Sequence, residues 1–265
     1  RLSESPGSRG GVNGTAVSVE DVGDDRHHYR WQDFVRIVRD SSLPATVVER
    51  SCSVFQRLAE AEAAAHGTTV EEATLHELGD VDTLVDVVGT VVGLGLLDVN
   101  RLYSSPLPSG SGVQKSAHGQ LPIPAPATAA LFAMANAPVV PPPGGVANAG
   151  EMVTPTGAAI LTTLATFRQP ALNLERIGYG LGSRDSEHYP NVVALWLGRE
   201  ADVARIYQSQ DPNEVRNLLA KYDVEYVYVG PRERERYGAE GLGKFRSFME
   251  TVFSRDGVDI YRLRR

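Results

Sequence analysis

Cysteine is nearly missing: Cys52 stands alone among 265 residues. No disulfide can close within the chain, and any metal must be held by His, Asp or Glu. Long hydrophobic runs are missing as well, and none approaches the roughly 20 apolar residues of a membrane helix. The opening Arg1-Leu2-Ser3-Glu4-Ser5-Pro6-Gly7 has neither an initiator methionine nor the basic-then-apolar pattern of a secretion signal. The expectation is a cytoplasmic chain whose start is cut or processed. A basic face is the third absence: net charge is −7 and the pI about 5.4. That argues against a general nucleic-acid binder, which must neutralise phosphates. What is present is 42% hydrophobic and 22% charged residues, the balance of a soluble globular chain of one or two domains.

Two compositions share the chain. Residues 1–200 carry 14 Lys/Arg against 22 Asp/Glu, whereas residues 201–265 carry 12 against 11. The last 65 residues also hold 9 of the 19 aromatics but only Pro212 and Pro231 of the 16 prolines. These shifts place a domain boundary near Glu200, between a domain of 1–200 and a small tail of 201–265.

The periodicities predict a mixed α+β fold. Residues 1–14 read as a frayed start, followed by a strand edge at Ala16-Val17-Ser18-Val19. Helical spacing runs from Trp31 to Arg39 and from Ala45 to His66, the second ending at Gly67. Thr68 with Glu71, or Thr69 with Glu72, offers a capping box for a short helix through Leu75. Val81 to Leu97 is apolar almost all round and is expected at the centre of the core. Short extended pieces follow, with a loop or edge at Leu121 to Pro126, a helix from about Ala127 to Asn136, and loop from Pro138 to Gly150. Thr154-Pro155 opens a helix running to about Phe167, and Asn173–Gly182 and Asn191–Leu197 read as strands around a glycine-rich turn. In the tail, a capped helix starts at Asp211-Pro212, strands run over Val224–Val229 and Val258–Leu263, and an amphipathic helix over Leu242–Phe253. Tyr226 and Tyr228 share one strand face and are expected in a core or interface.

Several constellations can carry chemistry. Asp82, Asp86, Gly89 and Gly93 recur on one helix face, and carboxylates on an apolar helix are costly to bury without a cation, a hydrogen-bond network or water. His76 and Glu77 stand at that helix's entrance, so the four residues read either as a metal or nucleotide-magnesium site, or as an N-cap and a surface carboxylate. His27 and His28 beside Asp24 and Asp25 offer nitrogen and oxygen donors suited to a divalent transition ion, or are simply solvated. His118 precedes the rigid proline segment and is either aimed into a cleft or a loop histidine with no task. Gly178-x-Gly180-x-Gly182-Ser183-Arg184 is either a phosphate cradle or a plain turn, and the amides at Thr154, Thr156 and Gly157 form a second possible anion site.

Taken in order, these segments resemble the LarC family of nickel insertion proteins. The likeness rests on the histidine cluster before Ser41-Ser42-Leu43-Pro44, the run Arg57-Leu58-Ala59-Glu60-Ala61-Glu62-Ala63 with His66-Gly67, and His76-Glu77-x-Gly79-x-x-Asp82-x-x-x-Asp86. It continues through Ser105-Pro106-Leu107-Pro108, His118-Gly119-x-Leu121-Pro122, Thr154-Pro155-Thr156-Gly157 and Glu175-Arg176-Ile177-Gly178-Tyr179-Gly180. The resemblance implies CTP-dependent insertion of nickel into pyridinium-3,5-bisthiocarboxylic acid mononucleotide, a lyase-type step in nickel-pincer cofactor biosynthesis. It implies nickel, CTP with magnesium or manganese, a homo-oligomer, and metal or cofactor contact at His76, Glu77, Asp82, Asp86 and His118. The family's opening Gly-Ile-Ser-Gly-Asp-Met motif has no counterpart in residues 1–20. The tail instead resembles the soluble end of a prokaryotic multi-pass membrane family of glycosyltransferases, through Tyr226-Val227-Tyr228-Val229-Gly230-Pro231 and Gly257-Val258-x-Ile260-Tyr261. The alternative expectation is therefore a non-catalytic metal- or nucleotide-binding module, or a fused fragment without present activity.

Overall fold

The computed structural model describes residues 1–20, 28–116, 119–184, 187, 189–238 and 241–264; the side chain of Glu77 also lies outside that description. The fold is α+β, in two compact units: residues 1–169 with 178–194, and residues 170–177 with 195–265. None of the described helices is long and apolar enough to cross a membrane.

The first unit opens with β1 (Leu2–Arg9) and β2 (Val12–Val19), antiparallel with Arg9 opposite Val12. The frayed start expected over residues 1–14 is thus a hairpin. Gly10 and Gly11 both take positive φ, which is what a two-residue turn matched to strand twist requires. Helices α1 (Trp31–Arg39) and α2 (Ala45–His66) fall where the periodicity predicts them. Gly67 closes α2 in the left-handed region, its amide donating to the Ala63 carbonyl.

The third helix expected from the capping box is not formed. Thr69 does meet Glu72 through its side chain at 3.2 Å, but Glu72 and Ala73 donate only to Thr69 and Val70, in isolated turns. Two of the segment's carbonyls accept from another element: Trp31 Nε1 donates to Val70 O at 2.9 Å and Gln32 Nε2 to Glu71 O at 3.0 Å. Tertiary hydrogen bonds override a marginal helical preference.

Helix α3 (Val81–Leu96) forms as predicted but is less central than its composition suggests. Only Thr83, Val87, Val91 and Leu94 are buried, while Leu96 is 83% exposed. β3 (Leu102–Ser104), β4 (Leu107–Pro108), β5 (Val113–Ser116) and β6 (Gly119–Pro122) lead to α4 (Pro126–Met134). β7 (Val139–Val140), α5 (Pro155–Leu164) and β8 (Ala165–Phe167) follow, with β3 parallel to β8 and β4 parallel to β7. Helix α2 packs on α1, α3, α4 and α5. The core it organises includes Phe34, Phe55, Leu58, Leu131 and Ala158, with the rings of Phe34 and Phe55 5.1 Å apart.

β9 (Leu172–Leu181) and β10 (Val192–Glu200) are each divided between the units, in a sheet of order β1-β2-β9-β10. The second unit continues with α6 (Asp202–Gln208), α7 (Pro212–Lys221), β11 (Tyr226–Val229) and α8 (Pro231–Tyr237). It ends with α9 (Phe245–Phe248), β12 (Met249–Arg255) and β13 (Val258–Leu263), in an antiparallel sheet of order β11-β13-β12. The helix expected over Leu242–Phe253 is therefore a short turn and α9, after which the chain becomes β12, whose edge pairs with β13. One face of this sheet is buried through Val227, Val229 and Tyr261 against Val215, Leu219 and Phe245. Tyr226 and Tyr228 point the other way, about half exposed, so neither belongs to the core.

Because Phe55 is fully buried at the centre of the α2 contacts, Phe55→Ala should cost about 3–5 kcal/mol in urea denaturation. Exposed Val139→Ala should stay within about 0.5 kcal/mol.

Candidate metal site

The last turn of α2 places Glu62 and His66 four residues apart on one helix face. His66 Nε2 lies 3.5 Å from Glu62 Oε2. Beyond Gly67 the chain doubles back. Thr68 N donates to Ala63 O, and the Trp31 and Gln32 side chains hold the carbonyls of Val70 and Glu71. Leu75, 2% exposed, anchors the return in the core, and a short 3₁₀ turn over His76–Leu78 follows. Tyr29 N donates to Gly79 O at 2.8 Å, so residues 29–32 clamp this return at both ends.

The result stacks His76 against His66, with ring centroids 4.6 Å apart. One potential ligand atom from each of Glu62, His66 and His76 lies within 4.8 Å of the others, the single such donor group among the described residues. His76 has φ 43°. Non-glycine residues adopt this left-handed backbone infrequently, histidine more readily than most, and it costs some backbone strain. Thr74 Oγ1 meets His76 Nε2 at 3.0 Å.

Glu62 is only 7% exposed, in the same turns of α2 as the buried Ala59 and Ala63. Burial pushes its carboxyl up from 4.5 to about 7. A buried carboxyl beside two imidazoles is a donor set suited to a divalent transition ion, which would supply the charge that the buried carboxylate lacks.

Of the residues nominated from sequence, His76 joins this group. Glu77 adjoins it in the chain, and its side chain is outside the described residues, as are His27 and His118. His28 meets Asp80, not the cluster: Nδ1 lies 3.1 Å from Oδ1, both side chains 59% exposed. Asp82 and Asp86 lie on the exposed side of α3, where Asp82 Oδ1 accepts from Thr83 N. The Asp86 carboxyl is nevertheless pushed up, first by partial desolvation and then by the charge of Asp82.

Thr154 caps α5, accepting from Gly157 N at 3.2 Å, and Thr156 is buried. Gly178 and Gly180 lie within β9 rather than in a turn. Arg184 is exposed and 3.9 Å from Glu151. Sequence reasoning missed Glu62 and His66. Their signal was present as a Glu-x-x-x-His spacing at the end of a predicted helix, but the partner arrives from beyond a turn.

The chain matches the family model described as nickel insertion protein over residues 1–222, past the boundary expected near Glu200. Among curated relatives bearing "nickel insertion protein" in their names, one from Roseiflexus castenholzii is 48% identical over 201 residues, covering 74% of this chain and 49% of the relative. One from Thermomicrobium roseum is 48% identical over 168 residues, covering 63% and 40%. One from Cyanothece sp. is 36% identical over 241 residues, covering 89% and 55%. The chain thus spans about half the length of the curated relatives it matches. No solved structure matches it.

The raised Glu62 carboxyl sets a pH signature. The folded state holds this proton more tightly than the unfolded chain, so stability falls as pH rises from about 4.5 to about 7 and the cost is complete above that. In the metal-stripped protein, Glu62→Gln should raise stability by roughly 1–3 kcal/mol at pH 8 and leave it unchanged at pH 4. Urea midpoints at the two pH values check this.

Proposed function

Since the chain belongs to the nickel insertion protein family, we propose that it handles nickel as cargo and delivers it to the sulfurs of pyridinium-3,5-bisthiocarboxylic acid mononucleotide in a CTP-dependent reaction. The observation that carries this reading is the gathering of Glu62, His66 and His76 within the region that matches the family. Imidazole and carboxylate hold nickel less tightly than thiocarboxylate sulfur, so movement from these donors to the precursor runs downhill in ligand softness. By family likeness and donor chemistry, His27, His28, Glu77, Asp82, Asp86 and His118 are further candidates for contact with the metal or the cofactor. CTP, with magnesium or manganese, is assigned to the same region. There the α5 start over Thr154, Thr156 and Gly157 is one anion-binding candidate, and Gly178, Gly180 and Arg184 are a second. The Thr154 hydroxyl takes the Gly157 amide, Ala158 N donates to Thr154 O and Pro155 has no N–H, so the Thr156 amide is the one in this turn that an anion would use.

Mass spectrometry of the precursor after incubation with the chain, nickel, CTP and magnesium tests the reading. The expected outcome is a nickel-containing product that disappears when CTP is withheld. Nickel bound by the chain without any transfer would instead favour a metal-binding module.

A further inference from the structure

The fold brings Glu62, His66 and His76 together without saying what occupies them, and three features narrow the answer. The first is donor chemistry. Two imidazoles and one carboxylate suit nickel, cobalt, zinc or copper, whereas magnesium and calcium take oxygen ligands. The second is the position of the three in the fold. Glu62 and His66 come from the last turn of α2 and His76 from beyond the turn at Gly67, so the site closes only when the chain has folded back. The third is the exposure gradient across them: Glu62 is buried, His76 half-buried and His66 exposed. An ion held here has its carboxylate ligand in the protein interior and its His66 ligand at the solvent boundary.

We propose that Glu62, His66 and His76 contribute ligands to a solvent-facing transit site for a divalent transition ion, with Thr74 as the positioning residue for His76. Thr74 engages one nitrogen of the imidazole, at 3.0 Å, and the bond made by one ring nitrogen fixes the tautomer and the aim of the other. The backbone strain at His76 is consistent with a ring held where the fold needs it rather than where the chain prefers it. Identification of the cargo as nickel rests on the nickel-insertion reading; the site itself rests on geometry.

The test is calorimetric titration of nickel into the metal-stripped 265-residue chain, with magnesium as the contrasting ion. One nickel per chain and no magnesium heat are expected. Affinity should fall at least about tenfold in Glu62→Gln, His66→Ala and His76→Ala, and stay unchanged in the exposed Asp98→Asn. Thr74→Val should weaken nickel about tenfold or more, with recovery in Thr74→Ser. Thermal melts establish that each variant is folded, and exposed His66→Ala gives the reading should a buried change fail that check. Folded His66→Ala binding nickel like the parent chain would overturn the site. Thr74→Val binding like the parent, with the three ligand variants impaired, would overturn the role of Thr74 alone. Loss of nickel in the ligand variants without any transfer to the pyridinium precursor would defeat the functional reading and support the site.

Discussion

The reversal of the chain after Gly67 is the constraint on which the candidate site depends. A residue with φ near +66° ends α2 and lets the following segment run back along it. Left alone, a nine-residue loop pays considerable conformational entropy to hold one geometry. Here Trp31 and Gln32 take up its carbonyls, Leu75 enters the core, and Tyr29 takes the carbonyl of Gly79. The first turn of α1 and the residue Tyr29 before it thus do more than start a helix: they fasten one imidazole beside another.

Glu62 is costly in the same arrangement. A carboxylate sunk among alanines, with its pKa near 7, weakens the apo fold at and above neutral pH. A glutamine or an apolar side chain would serve packing better, so the residue makes physical sense where a cation offsets its charge. The exposed ion pairs elsewhere, such as Arg199 with Glu175, carry no such penalty and contribute little to stability.

Helix α3 illustrates how composition misleads about position. Its apolar content is compatible with burial on all sides, yet Asp82, Asp86, Gly89 and Leu96 lie on its exposed side. The helix packs through Val87, Val91 and Leu94 on α2 and α5 and leaves its glycine stripe open, with nothing within 4 Å of a Cβ at Gly89 or Gly93. In the second unit the same lesson falls on Tyr226 and Tyr228: alternation put the two tyrosines on one face, but only helix packing decided that Val227 and Val229 face inward.

By itself the sequence determined the α+β class, the extents of α1 and α2, the Gly67 stop, the Thr154 cap and the strand Val258–Leu263, because these follow from local periodicity and capping chemistry. It also carried the family resemblance, and it nominated His76. Tertiary structure alone decided that residues 1–19 pair as a hairpin, that Thr68–Leu75 is a clamped loop rather than a helix, and that residues 249–255 form an edge strand. Each of those outcomes turns on hydrogen bonds to another segment: the adjoining strand for the two hairpins, and Trp31 and Gln32 for the loop. The same holds for the site. Glu62 and His66 are visible as a helical pair, but their convergence with His76 requires a turn whose path is set by side chains more than thirty residues upstream, and no local pattern encodes that contact.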